Sequence, residues 1–160
     1  MIACFDVAYG SDGAVAAGVL FRDFPDAVPV AEQTTIIDAV EPYVPGQFYR
    51  RELPCILALL SATRWKPDII LIDGYVHLDD QPGLGAHLHA AVGGIVIGVA
   101  KTRFGNAGLP VLRGTSKTPL YVTAVGMDVR DAAEHVRAMH GASRIPTMIK
   151  RADRLGRLSS

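Results

Sequence analysis

The sequence contains few of the residues that stabilise or anchor secreted and membrane proteins. It has two cysteines, Cys4 and Cys55, in 160 residues, and neither stands in the paired spacing of a zinc site or of a disulfide framework. Both lie in apolar stretches, so we expect reduced, buried thiols. No apolar run approaches the roughly 20 residues that cross a bilayer. We therefore expect a cytoplasmic protein with no signal peptide and no membrane partner.

Charge is also scarce, and it is unevenly distributed. Charged residues make up 20% of the chain and apolar residues 49%, which excludes a disordered protein and predicts one compact domain over residues 1–160. The net charge is zero, yet residues 1–100 hold 5 Lys or Arg and 12 Asp or Glu, whereas residues 101–160 hold 11 and 4. An acidic half and a basic half suit a protein that binds both cations and phosphates. They also arise when the acidic and basic elements of one chain pair with each other.

An apolar run without alternation, residues 69–72, predicts a strand buried on both faces. Asp73 follows it directly, and Gly74 ends the run. Ligands in open α/β sheets bind at the carboxyl ends of the strands, which makes Asp73 a candidate functional residue. The alternative is that Asp73 and Gly74 only begin a turn.

Two other charged residues occupy comparable positions. Residues 95–100 predict a second buried strand, and Lys101 follows it as Asp73 follows the first. Asp6 lies inside an apolar strand predicted over residues 1–9, where an unpaired carboxylate is costly to bury. A metal ion is one of the few partners that would suit Asp6.

Residues 41–47 contain two prolines and a glycine, which excludes both helix and strand and predicts a stiff loop that exposes Tyr43. Apolar residues at helical spacing then predict a helix from about Tyr49, with Glu52 in its first turn. Glu52 is either functional or a simple complement to the helix dipole.

The remaining patterns complete the predicted fold. Apolar segments at residues 13–21 and 28–37 follow the first strand and predict an antiparallel meander, and residues 107–124 predict two more short strands. Asp128 is expected to cap a helix, and residues 144–157 predict a basic final helix that is either solvated or in contact with phosphates. A zinc site is not expected, because the spacing of the histidines at 77, 87 and 89 is poor.

Five segments in order resemble the endonuclease V family. The most specific is residues 42–52, Pro-Tyr-Val-Pro-Gly-Gln-Phe-Tyr-Arg-Arg-Glu, which resembles that family's Pro-Tyr-Ile-Pro-Gly wedge followed at a fixed distance by a catalytic Glu. The segments at residues 5–9, 72–74 and 98–101 resemble those that bear its first acid, a second acid and the active-site Lys. Arg144-Ile-Pro and the Ala-Asp-Arg-Leu at residues 152–155 resemble the family's tail.

The resemblance implies a fold and an activity. The fold is a ribonuclease H-like α/β domain, whose mixed sheet begins antiparallel and continues parallel, with helices on both faces; an all-parallel doubly wound sheet is the alternative. The activity is a divalent-metal-dependent endonuclease that hydrolyses DNA or RNA near deaminated purines, chiefly inosine. Asp6, Glu52 and Asp73 would hold Mg²⁺ or Mn²⁺, and Lys101 would complete the catalytic set.

The resemblance also assigns residues to nucleic-acid and base binding, with Tyr43 as the wedge that enters the strand. These residues are Pro42, Tyr43, Val44, Pro45, Gly46, Gly74 and Leu84.

Three features depart from the family pattern. The loop after Gly74 is shorter, the N-terminal helical extension is absent, and no His occurs near Gly126, where the family has one. A second hypothesis is therefore a module that binds inosine-containing nucleic acid without cleaving it.

Overall fold

Residues 1–159 are described by the structure, a computed structural model. Along these residues three strands precede each of the first three helices, and a fourth helix follows the third. The strands are β1 (Ile2–Tyr9), β2 (Ala14–Phe21), β3 (Ala31–Ile37), β4 (Ile69–Asp73), β5 (His77–Leu78), β6 (Gln81–Pro82), β7 (Ile95–Ala100), β8 (Leu109–Val111) and β9 (Leu120–Val125). The helices are α1 (Tyr49–Thr63), α2 (Leu84–Val92), α3 (Val129–Ala138) and α4 (Thr147–Ser159).

The seven longer strands form one mixed sheet in the order β3-β2-β1-β4-β7-β9-β8. β1, β2 and β3 pair as the expected antiparallel meander, and β4 and β7 then continue the sheet in parallel with β1. Beyond β7 the sheet becomes antiparallel again. The chain returns from β7 to β9 through loops and the short strand β8. Without a crossover helix, a returning strand runs in the opposite direction.

Helices cover both faces of this sheet, as expected. Alternate residues of each strand point to opposite faces, so Cys4 packs in a core with α3 and α4, whereas Phe5 packs in a second core with α1 and α2. Both cysteines are free and buried, and burial raises the pKa of Cys55 to about 11. Within residues 1–159, every helix is too short or too polar to cross a membrane.

Two helix termini agree with the sequence patterns. α1 begins at Tyr49 and buries Cys55, Ile56 and Leu59. Asp128 caps α3, because its carboxylate accepts a hydrogen bond from the backbone N–H of Arg130. This bond satisfies one of the amide groups that a helix N-terminus leaves unpaired.

The basic final helix packs on the sheet. α4 buries Met148, Ile149 and Ala152 in the core that it shares with α3. Its remaining side chains therefore lie at fixed positions relative to β1 and β2. One of them, Asp153, reaches the carboxyl end of β1.

Candidate active site

The three acids expected to act together converge where β4 ends beside the carboxyl half of β1. Phe5 pairs with Ile72 between these parallel strands, which places the next residues, Asp6 and Asp73, side by side. Glu52 approaches from the first turn of α1. Asp6, Glu52 and Asp73 line one cavity of about 450 Å³, which we call the acid cavity.

Lys101 reaches the same point from β7. Asp73 pairs with Val99, and Lys101 lies two residues further along the chain, on the same face of the sheet as Val99. Its Nζ atom donates a hydrogen bond to Oδ2 of Asp73 over 3.0 Å. The acid and the base at the ends of two neighbouring strands therefore form an ion pair, in which each side chain is about one third exposed.

Crowding of carboxylates changes the charge of Asp6. Burial, and then the charge of Asp73, raise the pKa of Asp6 to about 7. The backbone N–H of Val7 donates to Oδ1 of Asp6 over 2.9 Å and opposes this rise. A contact with Asp153 raises the pKa further. Near neutral pH the Asp6 carboxyl therefore holds a proton part of the time, which a metal ion could replace.

Glu52 is the most deeply buried of the acids, with 4% of its surface exposed. Burial raises its pKa to about 8, and the charges of Asp6 and Asp73 add to the rise. The hydroxyl of Tyr9 donates to Oε2 of Glu52 over 2.5 Å and opposes it. The guanidinium of Arg51 lies 3.6 Å from the centre of the Tyr9 ring. Tyr9 thus holds the Glu52 carboxylate in place.

Two charged residues of the acid cavity were not predicted from the sequence. Asp153 and Arg157 line the cavity from α4, and the Arg157 Nη2 atom donates to Oδ2 of Asp153 over 2.5 Å. In the sequence, both lie in the predicted basic helix. This segment resembles the family's tail, but the resemblance assigned no function to either residue. Helical spacing shows that they share a face, but not that this face meets β1.

A second cavity of about 310 Å³ adjoins the first, and we call it the aromatic pocket. Phe48 lines both cavities, and Gly74 of the aromatic pocket follows Asp73 of the acid cavity in the chain. Four of the residues assigned to base binding line the aromatic pocket, namely Tyr43, Gly46, Gly74 and Leu84. Its other lining residues include Phe48, Tyr49, Tyr75, Arg103 and Phe104, which the sequence did not indicate.

The remaining three residues of the expected wedge do not line either cavity. Pro42, Val44 and Pro45 lie on the exposed loop that carries Tyr43. Tyr43 itself is 58% exposed at the rim of the aromatic pocket. The loop thus presents one ring to the pocket and its other side chains to solvent.

The wall of the aromatic pocket that contains Gly74 and Tyr75 is held tightly. The backbone N–H of Val76 donates to the Thr123 hydroxyl over 2.8 Å. A Cβ atom on Gly98 would lie 2.5 Å from the Gly74 carbonyl oxygen and 2.6 Å from that hydroxyl. Gly98 therefore lets residues 74–76 cross β7 at close range, and this crossing fixes the wall.

The carboxylates are engaged by partners within the protein. Lys101 pairs with Asp73, Tyr9 with Glu52 and Arg157 with Asp153. As arranged among residues 1–159, no three acidic, His or Cys side chains form a group that could hold a metal ion. The expected absence of a zinc site at the histidines stays a prediction, and so does the expected metal role of the acids.

Comparison with known proteins identifies the family. Residues 1–108 match the family described as Endonuclease V. The endonuclease V of Streptomyces avermitilis is 36% identical over an alignment that covers 95% of this chain and 77% of that protein. The endonuclease V of Streptomyces coelicolor is 32% identical, with 95% and 76% covered. The chain belongs to the endonuclease V family.

Solved structures of the endonuclease V family share the fold. The Streptomyces avermitilis enzyme superposes with a TM-score of 0.78 at 33% identity, covering 99% of this chain and 80% of the other. The Ciona intestinalis enzyme, in complex with a 24-mer DNA that contains inosine, has a TM-score of 0.82 at 23% identity and covers 99% and 84%. The expected ribonuclease H-like fold is confirmed.

Proposed function

We propose that this chain is an endonuclease that hydrolyses a phosphodiester bond near a deaminated purine, chiefly inosine, in DNA or RNA. The observation that carries the proposal is the junction of the two cavities at Phe48 and at the consecutive residues Asp73 and Gly74. A base seated in the aromatic pocket would have its own sugar-phosphate backbone beside the acids. Membership of the endonuclease V family supports this substrate class.

The residues of the acid cavity fit a divalent metal. The family is generally metal-dependent, and four carboxylates, Asp6, Glu52, Asp73 and Asp153, offer the oxygen ligands that Mg²⁺ and Mn²⁺ prefer. Burial, and to a smaller extent the charges of neighbouring carboxylates, raise the pKa values of Asp6 and Glu52, so a bound cation would stabilise the charged form of both groups. The ion, when bound, would stabilise charge on the attacking and leaving oxygens.

The chain's own residues supply the remaining functions. Lys101, released from Asp73, would neutralise phosphate charge or orient the attacking water. Glu52, held by Tyr9, would keep one ligand oxygen in place as the strand binds. Phe48 forms the partition between base and phosphate, because it lines both cavities.

Base recognition is assigned to the aromatic pocket. Tyr43, on a loop stiffened by Pro42 and Pro45, would enter the strand and stack in place of the displaced base. The displaced base would lie against Gly74 and Leu84, where glycine lets backbone groups approach a ligand closely. Val44 and Gly46 would keep the loop in its shape.

A nicking assay tests this function. Strands with one inosine and matched strands with adenosine are incubated with the protein and Mg²⁺ or Mn²⁺, and Asp73→Ala serves as the control variant. We expect cleavage near inosine by the wild type and a loss of at least about 100-fold in the variant. Equal cleavage by both proteins would remove Asp73 from the mechanism.

One observation favours a second function, a module that binds inosine without cleaving. No His occurs near Gly126, where the family has one. Selective binding of inosine strands with no cleavage in either metal would establish the second function and exclude the first.

A further inference from the structure

Arg157 reaches the acid cavity from the last turns of α4. It pairs with Asp153 four residues earlier, and the two side chains are 70% and 32% exposed. Arg157 lines the same cavity as Asp6, Glu52 and Asp73. Its guanidinium is thus in the cavity and open to solvent, where its long side chain has room to change partners.

An arginine and an aspartate one turn apart on a helix usually contribute little to stability. This pair differs because its acid faces other acids. Asp153 is in contact with Asp6 and raises the pKa of that carboxyl. Two carboxyl groups in contact require a proton or a cation between them. Arg157 supplies positive charge to this pair of carboxyl groups through its bond to Asp153.

We propose that Arg157 is a further catalytic residue that exchanges one partner for another. In the metal-free protein it neutralises Asp153, and once Asp153 helps to hold a divalent ion it pairs with a phosphate oxygen of the bound strand. A guanidinium is suited to both tasks, because its planar group forms paired hydrogen bonds with carboxylates and with phosphates alike. The inference rests on the proposed nuclease function and adds a residue to it.

The exchange has two consequences of opposite sign. Without Arg157, no guanidinium competes with the metal ion for the Asp153 carboxylate, so the ion should bind more tightly. The phosphate would lose a positive partner, so cleavage should be slower even when the metal site is saturated. A residue that only stabilised α4 would weaken both properties or neither.

The experiment uses Arg157→Met, Asp153→Asn, the double variant and Arg137→Met. Arg137 pairs with Glu134 three residues earlier on α3 and lines neither cavity, which makes it the matched control. Mn²⁺ affinity is measured by titration calorimetry without nucleic acid. Cleavage of an inosine strand is measured under single turnover at saturating Mn²⁺.

We expect Arg157→Met to bind Mn²⁺ about threefold more tightly and to cleave about 100-fold more slowly than the wild type. In the Asp153→Asn background the substitution should not change Mn²⁺ affinity, because a double-mutant cycle isolates the pairwise effect. Arg137→Met should match the wild type in both measurements. Arg157→Lys keeps a charge and should restore the Mn²⁺ affinity of the wild type.

Several results would overturn the inference. One is an Arg157→Met variant with unchanged or weaker Mn²⁺ binding, and another is such a variant with unchanged cleavage. A third is an equal gain in affinity with and without Asp153, which would show a long-range charge effect. A wild-type protein that neither binds Mn²⁺ nor cleaves would overturn the proposed function, and this inference with it.

Discussion

Tyr9 controls the most buried acid of the site through a single hydrogen bond. Burial raises the pKa of Glu52, and the bond from Tyr9 lowers it. Removing the hydroxyl in Tyr9→Phe should raise that pKa further, so a proton competes more strongly with the metal. We expect about tenfold weaker Mn²⁺ binding at pH 7, measured by calorimetry, and recovery at higher pH.

Tyr121→Phe is the matched control for Tyr9, because Tyr121 lies in β9 and lines neither cavity. It should bind Mn²⁺ as the wild type does. If Tyr9→Phe also bound Mn²⁺ normally at every pH, the Tyr9 bond would have no role in holding Glu52.

Tyr43 is expected to control base choice without affecting the metal. Replacing it by Ala removes the ring at the rim of the aromatic pocket, and stacking of a base on such a ring is worth about 1–3 kcal/mol. The preference for inosine over adenosine strands should fall about tenfold or more, while Mn²⁺ affinity stays the same. Tyr43→Phe keeps the ring and should keep the preference. A preference unchanged in Tyr43→Ala would exclude the wedge role.

Some site residues were predictable from the sequence because each one ends a recognisable segment. Asp73 and Lys101 follow buried apolar runs, and Glu52 follows the wedge at a fixed distance. The position of Asp153 in the acid cavity was not predictable in the same way, because it depends on which face of α4 meets β1. Phe48 and Phe104 contribute to the aromatic pocket through tertiary packing, which no local pattern encodes.

At the scale of elements, the crossing of β7 by residues 74–76 depends on Gly98. In Gly98→Ala the new methyl group would overlap the Gly74 carbonyl and the Thr123 hydroxyl. We expect a loss of about 1–3 kcal/mol in the free energy of unfolding, measured by urea denaturation. Because the displaced segment forms the pocket wall, the inosine preference should fall as well.

Gly156→Ala is the matched control. A Cβ atom on Gly156 would meet Ala8 and Ala17 at 3.5 Å, an ordinary contact distance, and alanine favours a helix over glycine by up to about 1 kcal/mol. This variant should be as stable as the wild type or more stable. Equal stability of Gly98→Ala and the wild type would contradict the close crossing.

The elements themselves were largely predictable, since long apolar runs and helical spacing mark them directly. The reversal of direction at β9 was not foreseen. The direction of β9 follows from the lack of a crossover helix between β7 and β9. Residues 101–119 contain turn residues that are compatible with several paths of the chain between these strands. Local patterns establish where strands are, but their pairing depends on the whole sheet.

For the whole molecule, metal and pH should act on stability together. Asp6 and Glu52 have pKa values of about 7 and about 8 in the folded state, against about 4 in an unfolded chain. The folded state therefore holds more protons between these values, so the free energy of unfolding of the metal-free protein falls as pH rises through this window. A bound divalent ion replaces those protons and should abolish the fall.

Thermal melts test this coupling. An ion at about 100 times its dissociation constant adds about 2.7 kcal/mol, which corresponds to a rise of about 5 °C or more in the melting temperature. The rise caused by Mn²⁺ should be larger at pH 8 than at pH 6. The double variant Asp6→Asn, Glu52→Gln should show little rise at either pH. If neither Mg²⁺ nor Mn²⁺ raised the melting temperature of the wild type, these acids would be excluded as metal ligands.

The two walls of the aromatic pocket are held differently, and this difference divides base discrimination between them. Residues 74–76 are fixed by Gly98 and Thr123, whereas residues 41–46 are exposed. An entering base could contact the exposed Tyr43 ring, but it would not displace the fixed wall. The fixed wall would therefore select a base by its shape, whereas Tyr43 would act by stacking in the opened strand, so a change in either would alter the inosine preference for a different physical reason.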